Sequence, residues 1–298
     1  MTVLEGIQKS ADFLAKKGVE SPRLQAELLL AHVLKLPRMK LYLNFERALT
    51  AAEVDGLREL VQRRGRREPL QHIVGSTSFC GLEMAVDRRV LIPRPETELL
   101  AEAAWQWLSE FTLQHAAGRG RPEGWTPTAL DFGTGSGCLA IALAVKCPGA
   151  KLHAVDVSPE ALEVARHNAA AHQVADRIQF LESDGFAALS GGIRFDLIVS
   201  NPPYIPGAEI ETLQPEVRDY DPRGALDGGA DGLDFYRRLA AEACPFLEPD
   251  GRILLEFGDG KAEAIQKIFG AQNWIVEAIK ADYSQRARIL KCRMMNDE

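Results

Sequence analysis

The ten residues TALDFGTGSG, at positions 128–137, decide the fold of this chain. Their first half is an apolar run that predicts a buried strand, and three closely spaced glycines follow it. Glycine lets the backbone turn tightly and approach a ligand closely. The residues after the glycines, 137–146, predict a helix, whose first N–H groups can face a ligand. This order predicts a ligand site at the end of the strand, with a tight turn that binds nothing as the alternative.

Beyond this stretch, strands and helices alternate almost to the end of the chain. Alternation of this kind predicts an α/β fold with a mostly parallel, doubly wound sheet. Two apolar stretches in the tail, 274–279 and 287–292, suit an antiparallel pair at the sheet edge. We predict strands near 128–132, 151–155, 177–181, 195–199 and 251–257, and helices at 137–146, 159–172, 233–244 and 260–269.

The chain before residue 93 has a different pattern. Apolar residues repeat at helical spacing over residues 1–70, which predicts a small all-helical domain. Residues 71–92 alternate in polarity around Gly81, which predicts a β-hairpin that bridges two domains. The predicted organisation is therefore a helical domain at 1–70, a hairpin linker at 71–92 and an α/β domain at 93–298, with a surface loop at 115–127.

A basic cluster, RRGRR at 63–67, closes the helical region. One interpretation is a docking patch for RNA or for a protein partner. The other is a solvated helix end, because cations are favoured at the C-terminus of a helix. The sequence leaves both interpretations open.

The bulk composition limits the classes of function. The chain has 298 residues, a formal net charge of −7 and a pI of about 5.5, which disfavours a nucleic-acid partner. Its five cysteines form no CxxC pair, which predicts reduced thiols in a cytoplasmic protein and no metal site. No apolar run approaches the roughly 20 residues that span a membrane. The N-terminus lacks the pattern of a signal peptide.

A second motif, NPPY at 201–204, directly follows the predicted strand at 195–199. Two prolines cannot continue a strand ladder, because neither has an N–H to donate. The turn therefore presents free carbonyl groups between an amide, Asn201, and an aromatic ring, Tyr204. These are the groups that can hold a planar –NH2 group at the carboxyl end of a strand.

Two acidic residues also follow predicted strands. Asp156, at the end of the second strand, can accept hydrogen bonds from both hydroxyls of a ribose. Its alternative role is to cap the N-terminus of the next helix, but Ser158 is better placed for that role. Asp184 lies where it can meet the amino group of an adenine, or it forms a turn with Gly185. Both positions favour a nucleoside-containing cofactor.

The glycine loop also fits the dinucleotide fingerprint GxGxxA, so a dehydrogenase that uses NAD is an alternative. Two features favour another cofactor. Asp131 directly precedes the glycines, where a carboxylate repels a pyrophosphate but accepts a hydrogen bond from an ammonium or hydroxyl group. The NPPY motif has no role in hydride transfer.

Taken together, these residues resemble the class I methyltransferases that use S-adenosylmethionine. Nearly the whole chain resembles one family, the protein-(glutamine-N5) methyltransferases of the HemK/PrmC type. NPPY alone marks amino-methyltransferases of several kinds, and its pairing with the other motifs is more specific. The resemblance rests on IPRPETE at 92–98, the glycine loop, NPPYIP at 201–206, DPRGALDGG at 221–229 and DGL at 231–233.

The resemblance implies a Rossmann-like doubly wound sheet with an N-terminal helical domain that grips a protein substrate. It implies methyl transfer from S-adenosylmethionine, which leaves S-adenosylhomocysteine, to the glutamine of the GGQ motif in peptide chain release factors. Such an enzyme supports translation termination in the cytoplasm. It has no membrane partner and no metal.

The resemblance also implies roles for individual residues. Some members carry an aromatic residue at the position of Gly185, and its side chain can stack on adenine. Because Gly185 has no side chain, this stacking is lost here. Phe186, the next residue, is a candidate substitute. The implied cofactor-binding residues are Gly133, Thr134, Gly135, Ser136, Gly137, Asp156, Asp184, Gly185 and Asn201, and the implied catalytic and glutamine-binding residues are Asn201, Pro202, Pro203 and Tyr204.

A carboxamide nitrogen is a poor nucleophile, because its lone pair is delocalised into the carbonyl. We expect the Asn201 oxygen and the Pro202 carbonyl to accept its N–H groups and aim it at the methyl donor. Two alternatives remain. An amino-methyltransferase of adenine or cytosine in DNA or RNA needs the same acceptors, and a binding module keeps the fold without the chemistry.

Overall fold

A computed structural model describes residues 1–115, 125–189 and 192–295, so most of the predicted loop at 115–127 lies outside the described residues. The chain divides into two compact units. The first contains residues 1–76 together with 213–220, and the second contains residues 77–212 and 221–298. The sequence predicts domains that are each continuous in the chain, whereas the first unit also contains an eight-residue segment from the C-terminal half.

The helices and strands follow the predicted order. The helices are α1 Val3–Lys16, α2 Pro22–Leu34, α3 Arg38–Leu41, α4 Ala51–Gly65, α5 Leu70–Val74, α6 Pro95–His115, α7 Cys138–Lys146, α8 Pro159–Ala171, α9 Pro215–Arg218, α10 Asp234–Glu242 and α11 Ala262–Gly270. The strands are β1 Ser76–Phe79, β2 Leu82–Ala85, β3 Thr128–Phe132, β4 Lys151–Asp156, β5 Ile178–Glu182, β6 Phe195–Ser200, β7 Leu247–Glu256, β8 Trp274–Ala281 and β9 Ala287–Met294. None of the described helices is long and apolar enough to cross a membrane.

The first unit is helical, and its helices pack around one apolar core. In α1 and α4 the buried side chains, which include Ile7, Leu14 and Leu57, come from the faces that the sequence periodicity indicates. In α2 the periodicity indicates the wrong face, because Leu24 is 41% exposed while Leu29 and Leu30 are fully buried. Thr50 begins α4 with a capping box: its hydroxyl accepts a bond from the Glu53 N–H, while its own N–H donates to the Glu53 carboxylate.

The basic cluster at 63–67 lies at the end of α4 and is largely occupied within the first unit. Arg63 forms an ion pair with Glu68. Arg64 and Arg67 both bind Glu216, at 2.7 and 2.6 Å, so this carboxylate of the segment 213–220 joins the segment to α4. Arg64 is only 3% exposed. The interpretation of the cluster as a solvated helix end is therefore wrong for Arg64, and three of its four arginines bind acidic groups of their own chain.

The strands β1 and β2 form a hairpin at the start of the second unit. It is shorter than the predicted 71–92, because residues up to Val74 belong to α5. Its main sheet has seven strands in the order β5-β4-β3-β6-β7-β9-β8. The pairs β5-β4, β4-β3, β3-β6 and β6-β7 are parallel, and β9 pairs antiparallel with β7 and β8. This order confirms the predicted doubly wound sheet and its antiparallel pair at one edge.

Helices cover both faces of the sheet. On β3, Ala129 packs into the core that contains α6 and α7, while Leu130 packs into the core that contains α10 and α11. The strand is buried on both sides, which explains why it is mostly apolar, with Asp131 as its one buried charged residue. Strand order reverses between β3 and β6, and ligands of such sheets bind at the carboxyl ends of the strands at this switch point.

Candidate functional site

A cavity of about 260 Å³ opens at the switch point, beside the carboxyl ends of β3, β4 and β6. The structure brings most of the predicted site residues to its wall. Those that line it are Gly133, Gly135, Asp156, Asp184, Gly185, Asn201 and Pro203. Further lining residues include Arg89, Val90, Leu91, Val157, Phe235 and Arg238.

Three N–H groups of the glycine loop donate hydrogen bonds to the end of the neighbouring strand β4. Those of Gly133 and Thr134 donate to the Val155 carbonyl at 2.9 Å, and that of Gly135 donates to Asp156 at 2.8 Å. A loop that cradles a pyrophosphate needs such N–H groups free. A Cβ built on Gly133 or Gly135 meets no atom within 4 Å, so the space where a side chain would lie is open at both glycines. The loop suits a cofactor without phosphate groups.

The carboxyl group of Asp131 makes the start of α7 less suited to binding an anion. Its side chain is fully buried and accepts bonds from the Thr134 hydroxyl at 2.6 Å and from the Ala140 N–H at 3.1 Å. The hydroxyl group that binds Asp131 therefore belongs to the protein itself. Burial raises the pKa of this carboxyl to about 7.

Three of the predicted cofactor residues shape the loop behind the cavity wall. Thr134 is 5% exposed and binds Asp131, and the Ser136 carbonyl accepts a bond from Asn168. Gly137 has φ +82°, and a Cβ there comes within 3.0 Å of Ala165. Direct contact of these three residues with a cofactor stays a prediction.

Asp156 joins the glycine loop to the next strand. One carboxylate oxygen accepts from Gly135, and the other accepts from the Ser158 N–H at 3.0 Å. Ser158 is the N-cap of α8, as predicted, because its hydroxyl accepts from the Ala161 N–H at 3.1 Å. The Asp156 carboxylate is held by two backbone groups and keeps lone pairs for hydroxyl donors.

Arg238 of α10 occupies the wall next to Asp184 and Gly185. Its guanidinium binds the Asp184 carboxylate, donates to the Asp184 carbonyl at 2.8 Å and contacts Glu242 at 3.1 Å. Gly185 has φ +62°, and a Cβ there overlaps the guanidinium, whose carbon lies 2.7 Å away. The positive φ therefore disfavours a side chain at 185, and a side chain placed there would also displace the guanidinium of Arg238.

Phe186 does not take the place of an aromatic side chain at position 185. It is 4% exposed, and its ring stacks on Phe246 at 4.8 Å and contacts Phe132 at 4.9 Å. It belongs to the core between the sheet and α10. The flat polar group at this part of the cavity is the guanidinium of Arg238.

Asn201 lines the cavity directly after β6. Its side-chain nitrogen donates to the Thr97 hydroxyl at 3.0 Å, and Thr97 is 2% exposed in the first turn of α6. The carboxyl of Glu256, the last residue of β7, is also buried, and its Oε2 has no hydrogen-bond partner among the described residues. Glu256 is 2% exposed, and burial raises its pKa to about 7.

The rest of the tetrad is held by glycines of the neighbouring loops. A Cβ on Gly228 comes within 2.8 Å of the Pro203 carbonyl and of the Tyr204 Cα, and a Cβ on Gly258 comes within 2.8 Å of the Tyr204 ring. Burial raises the pKa of Tyr204 to about 12, so the phenol is neutral. Both positions need glycine, since the close approach of the tetrad leaves no room for a side chain. Pro202 is buried in this arrangement.

Sequence reasoning missed Thr97, Glu256 and Arg238. Glu256 follows a buried apolar run at the carboxyl end of a parallel strand, which is the same signal that identified Asp156 and Asn201. Thr97 stands within the IPRPETE motif, and only its contact in the folded chain distinguishes it from its neighbours. No sequence pattern marks Arg238 as a site residue, because an arginine on an amphipathic helix is normally solvated. Within the described ranges no group of three or more His, Cys, Asp or Glu residues is placed to hold a metal ion.

Two protein-family models match parts of this chain. Residues 5–75 match the PrmC N-terminal domain family, and residues 119–215 match the methyltransferase small domain family. The release factor glutamine methyltransferase of Geobacter sulfurreducens is 46% identical over 90% of this chain and 88% of its own length. That of Chlorobaculum tepidum is 45% identical over 98% of this chain and 97% of its own.

Solved structures show the same fold at low identity. A methyltransferase from Pyrococcus furiosus superimposes with a TM-score of 0.52 at 22% identity, over 79% of this chain and 99% of the other. The catalytic domain of human Mettl16 in complex with an RNA hairpin gives 0.54 at 16% identity, over 73% and 77%. These likenesses concern the fold alone. The identity and coverage of the sequence relatives decide the matter: this chain belongs to the family of release factor glutamine methyltransferases.

Proposed function

We propose that this protein transfers a methyl group from S-adenosylmethionine to the side-chain amide nitrogen of the GGQ glutamine in peptide chain release factors. The observation that carries the proposal is the position of Asn201. Its amide lines the same cavity as the glycine loop and Asp156, while the chain shares 46% identity with a release factor glutamine methyltransferase. Because its substrate is a translation factor, we also propose that the protein works in the cytoplasm.

The residues at the cavity fit S-adenosylmethionine. The Asp156 carboxylate suits ribose hydroxyls, the 67%-exposed Val157 offers an apolar surface for the base, and the occupied N–H groups of the glycine loop disfavour a pyrophosphate. A dehydrogenase that uses NAD is disfavoured for the same reason. When bound, this cofactor supplies an electrophilic methyl group on a sulfonium centre.

The chain's own groups then act on the glutamine amide. The Asn201 oxygen and the Pro202 carbonyl accept its two N–H groups, which fixes the direction of the nitrogen. The same acceptors stabilise the positive charge that develops on nitrogen as its lone pair leaves conjugation. The neutral ring of Tyr204 packs on the flat amide and excludes water. Such a mechanism needs no general base, since the methylated nitrogen loses its proton to solvent.

The decisive experiment offers the methyl donor with three separate acceptors: a purified release factor, DNA and RNA. We expect label from the cofactor only on the release factor, and loss of that label when the GGQ glutamine is changed to glutamate. Label on nucleic acid alone would overturn the proposal in favour of an amino-methyltransferase of adenine or cytosine. Cofactor binding without label on any acceptor would favour a binding module.

The position of Arg238 leads to a prediction about cofactor affinity. Replacing it with alanine removes the flat cation beside Gly185 and frees Asp184. We expect the Kd for S-adenosylmethionine to rise about fivefold, because stacking of a guanidinium on a base contributes about 1 kcal/mol when it is partly desolvated.

Calorimetric titration of the purified variant measures this Kd. The matched control is Arg237→Ala on the same helix, because Arg237 pairs with Asp231 and Asp234 and is not a lining residue of the cavity. Equal affinities of the two variants would show that Arg238 contributes nothing to the cofactor site.

A further inference from the structure

Asn168 of α8 is a buried polar residue that has no part in the proposed reaction. It is 1% exposed and is not among the residues that line the cavity. Its side chain forms three hydrogen bonds, all with the backbone. Oδ1 accepts from the Ala85 N–H at 2.8 Å, and Nδ2 donates to the carbonyls of Ala85 at 3.0 Å and Ser136 at 2.9 Å. One amide therefore joins the end of β2 to the glycine loop.

The three partners of Asn168 determine which side chain can stand there. A backbone carbonyl only accepts a hydrogen bond and a backbone N–H only donates one, so the site requires one acceptor and two donors. A primary amide supplies both kinds of group. An ionised aspartate has no proton to donate, and a serine has a single one. Because all three partners are backbone groups, they also fix which way the amide points.

Both of the segments that Asn168 joins reach the cavity. After β2 the chain continues into residues 89–91, which line it. Ser136 belongs to the glycine loop, in which Gly133 and Gly135 line it. Asn168 thus lies behind the cavity and bonds to two separate parts of its wall.

Apolar contacts hold the same two segments against α8. Four buried residues form a small core between the chain after β2 and this helix: Val86, Val90, Ala161 and Val164. The glycine loop meets the helix one turn before Asn168, where a Cβ built on Gly137 comes within 3.0 Å of Ala165. Apolar contacts are non-directional, whereas hydrogen bonds have a preferred length and angle. The bonds of Asn168 therefore define the position of each segment along the helix.

We infer that Asn168 is a positioning residue that holds the glycine loop and the segment 86–91 in fixed positions on α8, so that the cavity is preorganised for S-adenosylmethionine. The residue acts through the backbone of Ala85 and Ser136. Preorganisation spares the cofactor the cost of ordering both segments when it binds. The inference rests on the proposed function for the identity of the cofactor, and on the three hydrogen bonds for the link itself.

Asn168→Asp keeps the shape of the side chain and the acceptor for the Ala85 N–H, but it places a carboxylate against two carbonyls. We expect the Kd for S-adenosylmethionine to rise about tenfold, which corresponds to a binding-competent arrangement that is populated about a tenth of the time. At saturating cofactor, kcat with a release factor should stay near that of the wild type, because Asn201 is not bonded to either segment. Calorimetric titration gives the Kd, and steady-state kinetics give kcat separately from KM.

His172→Ala is the matched control. His172 lies on the same helix and donates to the Glu83 carbonyl of β2 at 2.8 Å, but it forms no hydrogen bond with the glycine loop. This variant should bind S-adenosylmethionine as the wild type does. Wild-type affinity in Asn168→Asp, an equal loss of affinity in His172→Ala, or a loss of kcat without a change in KM for the cofactor would each overturn the inference.

Hydrogen exchange of the wild type tests the link even if Asn168→Asp does not fold. The Ala85 N–H is held by Asn168, whereas the Cys80 N–H at the turn of the same hairpin donates to Glu98 of α6 at 2.7 Å. Since Ala85 does not line the cavity, only the link carries protection to it. We expect S-adenosylmethionine to slow exchange at Gly135 and at Ala85, with Cys80 unchanged.

Slower exchange at Gly135 without a change at Ala85, or equal slowing at Cys80, would overturn the inference. The proposed function is tested separately by the transfer of label to a release factor. If Ala85 responds as expected and no release factor is methylated, the proposed function fails and the role of Asn168 at the cofactor cavity stands.

Discussion

Asn201→Ala is expected to lower the rate of methyl transfer to a release factor about a hundredfold or more, which is the typical cost of removing one preorganised polar group that stabilises developing charge. The alanine leaves the substrate amide with one acceptor, the Pro202 carbonyl. It also leaves the Thr97 hydroxyl without the donor that now reaches it at 3.0 Å. Turnover measured with labelled cofactor at saturating release factor gives this rate.

Cofactor binding separates a chemical effect from a structural one. The glycine loop and Asp156 line the cavity independently of Asn201, so S-adenosylmethionine should bind with a Kd only modestly raised. Asn201→Asp keeps the shape but cannot donate to Thr97, and it should also be slow. Asn44→Ala, which removes an exposed amide that binds the Lys40 carbonyl, serves as the control. Near-normal turnover in Asn201→Ala would contradict the role assigned to this residue.

The fold could be predicted from sequence to a large extent, because burial on both faces makes the parallel strands into apolar runs. The run at 195–199 corresponds to β6 at Phe195–Ser200, and the run at 151–155 to β4 at Lys151–Asp156. The strand predicted at 251–257 begins earlier, at Leu247, where the chain pairs with Phe195 before a register shift. Local polarity does not encode such a shift.

Site residues such as Asp156 and Asn201 could be predicted, because they lie at the carboxyl ends of predicted strands. It was not predictable where partners are remote in sequence. Glu216 joins the first unit by binding Arg64 and Arg67, which are about 150 residues away, and no periodic pattern records that contact. Likewise, only the folded chain shows that Arg238 occupies the space beside Gly185.

Asp156→Ala is expected to weaken the binding of S-adenosylmethionine strongly. Its carboxylate holds the Gly135 N–H at 2.8 Å and the Ser158 N–H at 3.0 Å while lining the cavity. Replacement by alanine leaves two backbone donors without an acceptor and removes the group proposed to bind the ribose. We expect the Kd for S-adenosylmethionine to rise about a hundredfold, since each hydrogen bond to a charged group contributes about 1.5 to 3 kcal/mol and water replaces part of that loss.

Asp156→Asn sharpens this prediction, because an amide keeps the shape but offers one acceptor where the carboxylate offers two. Its side-chain nitrogen must face either Gly135 or Ser158, both of which donate. The affinity of this variant should therefore fall between those of the wild type and the alanine variant. Asp176→Asn, an exposed change in the same unit and away from the cavity lining, should bind as the wild type does. Calorimetric titration orders the four proteins, and wild-type affinity in Asp156→Ala would exclude Asp156 from the cofactor site.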